Sequence, residues 1–333
     1  MPPFDNAPLL VNVGRYPLQG PTPMSQNTAT TSLGILLMVG FCVLAPLQDS
    51  FAKLTSHDIA IGQIAATRFI FQVALLLPLA AVFGWLHRPR GGEVALHLIR
   101  GVLLLVATAC FFTALRYMPI ADAIAIFFVE PFILTLLGGL LLGEPLGPRR
   151  YIACAVGFVG ALLIIQPSFQ AVGPVALLPL VTALCFAFYM ILTRRMATRM
   201  HPITLQVYTG TAALILALPI LAMAEGSGIG PLDPSWPTGR DIWFLCGLGV
   251  IATLSHVCIS FALSLAPASL LAPLQYLEIV AATALGYWIF SDLPNALSFA
   301  GIALIVASGL YVFFRERQLE RQLERKNRPV TPP

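Results

Sequence analysis

Two carboxylates embedded in apolar sequence are the groups of this 333-residue chain best placed to do chemistry. Glu130 follows Ala125-Ile126-Phe127-Phe128-Val129, and Glu278 follows Leu274-Gln275-Tyr276-Leu277. They stand 148 residues apart, and the same shift superposes Ala114-Leu115 on Ala262-Leu263, Pro119 on Pro267, Thr135 on Thr283, Gly138 on Gly286 and Glu144 on Asp292. Apolar runs match Leu and Ala by chance, but rarely a mid-run acid, a boundary proline and an acidic loop residue together. An ionisable group at bilayer depth costs at least about 2.5–3.5 kcal/mol on insertion scales, so it is kept for a reason. A carboxylate repeated at one height can bind a polar substrate group or carry a proton.

Arg68 is the expected counter-ion, and one arginine facing two carboxylates leaves one acid without a counter-charge. The structural alternative is a static Arg68–Glu130 pair, with Glu278 hydrogen-bonded to a neighbouring helix. Phe127 and Phe128 flank one acid, and Gln275 and Tyr276 hold the matching positions beside the other. Rings and an amide around mid-span carboxylates suit a flat aromatic or heterocyclic substrate. The alternative is rings that only pack or face lipid. Pro131 and Pro273 each remove a backbone donor near an acid, giving either a packing kink or a ligand carbonyl. Gln48, Tyr189 and His256 are further polar intrusions, His256 with an interhelical hydrogen bond as its plainer role. Asp49 is expected near the outer interface, within reach of water. These ten residues, Asp49 and the prolines aside, form the expected substrate-binding set: Glu130, Glu278, Arg68, Phe127, Phe128, Gln275, Tyr276, Gln48, Tyr189 and His256.

No phosphate-binding glycine loop, Gly-x-Ser-x-Gly elbow or metal-spaced His/Cys cluster appears, so the reading carries no catalytic residue, no metal and no cofactor. Six cysteines are scattered singly and are taken as small buried hydrophobes.

The elements that must position these groups follow from composition. With 58% hydrophobic residues, 10% charged residues and a mean hydropathy of +0.85, the chain cannot cover a water-soluble surface of its size. Ten apolar runs are each close to the roughly 20 residues that cross a hydrocarbon core: 32–54, 61–86, 96–116, 120–142, 149–167, 174–193, 203–224, 241–264, 268–290 and 296–314. Their length and lack of strict alternation favour helices over barrel strands. With a cytoplasmic N-terminus, fourteen Lys or Arg residues fall inside and three outside, which places both termini in the cytoplasm. Five spans per half is an odd number, so the second copy enters the membrane the other way round. The expected fold is an all-α membrane protein of ten transmembrane helices in two inverted five-helix repeats. Residues 1–31 form a disordered tail with Met24 as a second candidate start, 32–167 and 174–314 the repeats, and 315–333 a basic cytoplasmic tail.

Ala114-Leu115-Arg116-Tyr117-Met118-Pro119, Leu142-Gly143-Glu144, and Gly157 with Gly160-Ala161 resemble the EamA-type domain of the drug/metabolite transporter superfamily. Ala262-Leu263 with Pro267 resembles its second copy, although Ser291-Asp292 replaces the usual Gly-Glu. The resemblance covers about 32–314 and implies a non-enzymatic secondary transporter of the bacterial inner membrane. Its expected partners are a small-molecule substrate and the lipid bilayer, with a coupling proton and a second copy of the chain as further expectations, and no nucleic acid. Within the superfamily the whole-chain pattern is most similar to riboflavin transporters, then to S-adenosylmethionine carriers and amino-acid or metabolite transporters. An intramembrane lipid-modifying enzyme is the competing class; it calls for acids or histidines clustered at one membrane face. A channel or scaffold is the third. Reporter fusions test the topology: a fusion in the connection near residue 170 should report the periplasm, and a cytosolic signal there would break the inverted-repeat reading.

Overall fold

The structure, a computed structural model, describes residues 28–55, 57–86, 88–89, 91–142, 148–197, 200–266 and 268–326. Most of the expected tail 1–31, the Gly143-Glu144 motif, Pro267 and the last residues of the basic tail lie outside these described residues. Every regular element among the described residues is helical. The helices are α1 (Thr28–Thr55), α2 (Ile61–Val82), α3 (Gly91–Tyr117), α4 (Ile120–Phe127), α5 (Glu130–Leu142), α6 (Pro148–Val172), α7 (Leu178–Ala197), α8 (Pro202–Ala224), α9 (Arg240–Leu265), α10 (Ala268–Gln275), α11 (Leu277–Phe290) and α12 (Ala296–Lys326), with a 3-10 segment, Gly173–Leu177, between α6 and α7.

Large apolar side chains cover the outside as well as the core. Val82 and Met223 are 82% and 86% exposed, an arrangement that only a hydrocarbon solvent makes favourable over so many helices. Among the described residues, nine stretches are long and apolar enough to cross a membrane. One of them, Tyr151–Thr193, is 43 residues long and runs through most of α6, the 3-10 segment and most of α7. It spans the regions expected as separate fifth and sixth crossings. Gly173, at φ +67, takes the left-handed conformation that its lack of a Cβ allows where the chain leaves α6.

The packing repeats itself when the halves are exchanged, taking α1–α6 as counterparts of α7–α12 in order. The helices α6 and α12 pack on each other, and so do α2 and α8, each on its own counterpart. The pair α1 with α9 has its mate in α7 with α3; α3 with α8 has its mate in α2 with α9. Glycines mark the equivalent crossings. A Cβ on Gly160 would lie 2.8 Å from the Gly301 carbonyl oxygen, and one on Gly301 would lie 2.5 Å from that of Gly160. This reciprocal contact lets the α6 and α12 backbones touch, the close approach that small residues provide in membranes. Gly101, against Ala212, and Gly249, against Phe71, are a second such pair, 148 positions apart.

Two expected continuous spans prove to be interrupted. Residues 120–142 divide into α4 and α5 at Phe128–Val129, and 268–290 divide into α10 and α11 at Tyr276. The 148 shift carries one break onto the other. Pro131, in the first turn of α5, has no N–H to extend the ladder from α4, whereas Pro273 lies inside α10. At one end of the bundle Lys53, on the last turn of α1, meets Asp292 Oδ2 at 2.6 Å and donates to the Met118 carbonyl at 3.1 Å. That joins α1 to the α3–α4 and α11–α12 connections. Gly160→Ala or Gly301→Ala should overpack the α6–α12 crossing and lower stability by about 1–3 kcal/mol, read as earlier thermal unfolding of the purified protein. An unchanged midpoint in both would mean that this contact does not hold the halves together.

Candidate functional site

The two breaks open onto one internal cavity, with about 970 Å³ of empty space within its lining, open solvent included. Its walls come from both halves in matched positions. Ala107 and Ser255, Thr108 and His256, Phe111 and Ile259, Phe127 and Gln275, and Glu130 and Glu278 are each 148 apart, and all ten line it. On α1 and α7 the spacing is 141: Phe41 matches Thr182, and Ala45 matches Phe186. Both glutamates fall in the first turn of the half-helix after the break. There the N-terminal end of the backbone dipole favours a negative charge or a bound anionic group. Glu278 is buried and Glu130 half-buried, so both face the protein interior and not lipid.

Arg68 also lines the cavity, but its hydrogen bonds run elsewhere than expected. Nη1 donates to Thr108 Oγ1 and Nη2 meets His256 Nε2, the pair of residues related by the 148 shift. The imidazole nitrogen accepts from the guanidinium, which requires it to be unprotonated at Nε2. No Arg68–Glu130 or Arg68–Glu278 ion pair occurs among the described residues. Asp49 lines the same cavity as Arg68 and Glu278. Asp49 is only 4% exposed and accepts from Gln48 Nε2 at 2.9 Å, so the expectation of a solvated interfacial position is corrected. The cavity thus gathers three carboxylates, Asp49, Glu130 and Glu278, around one guanidinium.

Aromatic rings form a ladder along one wall. Phe127 meets Phe128, Phe111 and Phe186 at centroid distances of 6.3, 6.1 and 5.5 Å. Phe128 contacts Tyr276 at 5.2 Å, and Phe186 contacts Tyr189 at 5.4 Å. Of the ten expected residues, eight line the cavity: Gln48, Arg68, Phe127, Phe128, Glu130, His256, Gln275 and Glu278. Tyr276 and Tyr189 stand behind the wall. Tyr276 reaches across to α12, where a Cβ on Gly309 would overlap its hydroxyl, and Tyr189 serves Arg100. Thr108, Phe111 and Phe186 were not expected; extending the 148 match back from Ala114 would have paired Thr108 with His256 and Phe111 with Ile259. Cys42, expected as a plain hydrophobe, donates its thiol to the Leu274 carbonyl at 3.3 Å, in the last turn before the second break. All six cysteines are free thiols. Among the described residues no three His, Cys, Asp or Glu side chains converge as metal ligands would.

The model of the EamA-like transporter family matches this chain twice, over residues 32–166 and 173–314. The chain is 26% identical to a riboflavin transporter of Vibrio cholerae over 96% of its own length and 100% of that protein. It is 30% identical to a riboflavin transporter of Rhizobium johnstonii, covering 68% of this chain and 72% of the relative. An S-adenosylmethionine uptake transporter of Rickettsia bellii is 24% identical over 89% of this chain and 98% of its own. A solved crystal structure with 20% identity superposes at a TM-score of 0.59, covering 88% of this chain and 99% of that one, and so shares the fold.

Thr108 supports a buried guanidinium, so Thr108→Val should cost about 1.5–3 kcal/mol of stability, the usual worth of a hydrogen bond to a charged group. Thr108→Ser should recover most of it. Equal unfolding midpoints for wild type and Thr108→Val would show that Arg68 finds another partner at no cost.

Proposed function

Since the chain belongs to the EamA-like transporter family, we propose that it is an inner-membrane secondary transporter that takes up a flat aromatic metabolite, riboflavin being the specific substrate. The observation that carries this reading is the cavity between the two helix breaks, where Glu130 and Glu278 occupy matched positions within one aromatic-lined space. The chain forms ten crossings in two inverted five-helix halves, residues 32–167 and 174–314, with α6 and α7 as the fifth and sixth crossings, both termini cytoplasmic and a basic tail from 315. Rocking of the halves about the α6–α12 and α2–α8 contacts exposes the cavity to each side in turn. Phe127, Phe128 and the further rings of the wall stack on the isoalloxazine. Gln48 and Gln275 supply amide hydrogen bonds to its imide edge, and the glutamates accept from ribityl hydroxyls or carry the coupling proton. Arg68, held by Thr108 and His256, sets the polarity of one wall.

A second reading is favoured by the charge balance. Three carboxylates against one arginine suit a cationic ligand, and a sulfonium such as that of S-adenosylmethionine answers to this chemistry. An intramembrane lipid-modifying enzyme is disfavoured, since the acids lie at helix breaks deep in the bundle and not at a membrane face.

Growth of a riboflavin auxotroph on limiting vitamin tests the proposal. Expression should rescue growth, and Glu130→Gln or Glu278→Gln should cut initial uptake at least about tenfold, the equivalent of one lost charge-assisted hydrogen bond. Absence of rescue by membrane-inserted protein would overturn riboflavin, and competition by S-adenosylmethionine would favour the second reading. Collapse of the proton gradient should abolish accumulation; if accumulation persists, the glutamates bind substrate and carry no proton.

A further inference from the structure

Arg100 is the largest fully buried side chain of the described residues, 1% exposed, on α3 about 14 Å from its Gly91 end. Its Nε donates to Thr193 Oγ1 at 3.2 Å and its Nη2 to the Tyr189 hydroxyl at 3.2 Å, while the Tyr189 ring lies 4.9 Å beneath the guanidinium carbon. Its Nη1 is buried with no hydrogen-bond partner, and no carboxylate among the described residues pairs with it. Thr193 and Tyr189 are neutral, so among the described residues hydrogen bonds and an aromatic face, and no counter-charge, hold this guanidinium. Desolvating a guanidinium is costly, so a buried donor group left unfilled is a favourable place for an anion to bind.

The position says where that anion comes from. Leu104, one turn along α3 from Arg100, lines the cavity, and so does Phe186, one turn along α7 from Tyr189. One helical turn is about 5.4 Å, the length of a short substituent. The aromatic ladder from Phe128 through Phe127 and Phe186 ends on Tyr189 and hence on Arg100. The acids and Arg68 hold one end of this path, and Arg100 holds the other. We propose that Arg100, with Tyr189 and Thr193 orienting it behind the wall that Leu104 and Phe186 form, is an oxyanion subsite on the cytoplasmic side of the cavity, one helical turn beyond its lining, taking a carboxylate or phosphate monoester carried by the ligand. A guanidinium with two N–H groups unfilled on one nitrogen matches such an oxyanion in a way an ammonium does not. The end named cytoplasmic rests on the topology proposed above; the subsite itself does not.

The test uses purified full-length protein in detergent, with thermal shift and ligand titration against riboflavin, its 5′-phosphate ester and inorganic phosphate. In wild type the ester should bind, and Arg100→Gln should weaken it at least about tenfold while leaving riboflavin within twofold. Arg100→Lys, which keeps the charge and guards against misfolding, should fall between the two. Inorganic phosphate should protect wild type and not Arg100→Gln, which separates a free anion from one carried by the flavin. If neither flavin binds but phosphate protects wild type alone, the subsite stands and the flavin reading falls. Equal behaviour of the anions in wild type and both variants, or no response of wild type to either anion, would overturn the subsite.

Discussion

Within hydrocarbon every backbone N–H and C=O must find its partner inside the protein, and an interruption of a membrane helix is tolerated only where other chain or an internal cavity takes up the freed groups. This chain interrupts two helices at positions related by the same 148-residue spacing, Phe128–Val129 and Tyr276. The rest of the arrangement follows. Each break restarts a helix with a glutamate in its first turn, each directs that glutamate inward, and the neighbouring helices supply what the backbone lost, as Cys42 does for the Leu274 carbonyl. The cavity exists because two broken helices leave space that two continuous ones would fill.

Framework and charge obey different symmetries. The crossings at Gly160 and Gly301, the matched lining positions and the two glutamates repeat across the halves. Arg68 and Asp49 do not: the one guanidinium and the third carboxylate of the cavity both come from the first half. A symmetric scaffold is what the proposed alternating access calls for, since the two halves would then exchange roles at similar energy. An asymmetric set of charges would hold the proposed ligand in one orientation. Thr108 and His256 join these two aspects, since residues at matched positions in the two halves grip the single arginine together.

Much of this was legible in the residues. The mid-run glutamates, their spacing, the rings beside them and the helical membrane class follow from composition and from one ungapped shift. Eight of the ten expected residues meet in the cavity, four of them as the matched pairs Phe127 with Gln275 and Glu130 with Glu278. What could not be read depends on contacts between helices distant in sequence. Tyr276 turns to the gap at Gly309 on α12, a space that no local pattern announces. Arg68 looked like the partner of a glutamate because charge alone was counted, whereas Thr108 and His256 stand nearer. The match of α1 to α7 was hidden because its spacing is 141 and not 148. Both breaks have a proline nearby, Pro131 just after the first and Pro273 within the helix before the second, but a proline alone reads as a kink and does not announce that a span divides in two.

The central claim is that substrate is held between the two helix breaks by groups from both halves. The most direct measurement is an experimentally determined structure of the full-length protein with transported ligand bound. Ligand density should stack on Phe127 or Phe128 and lie within hydrogen-bonding distance of Glu130 or Glu278. Ligand bound at a membrane face or on the lipid-facing surface, with this cavity collapsed or filled by side chains, would contradict it.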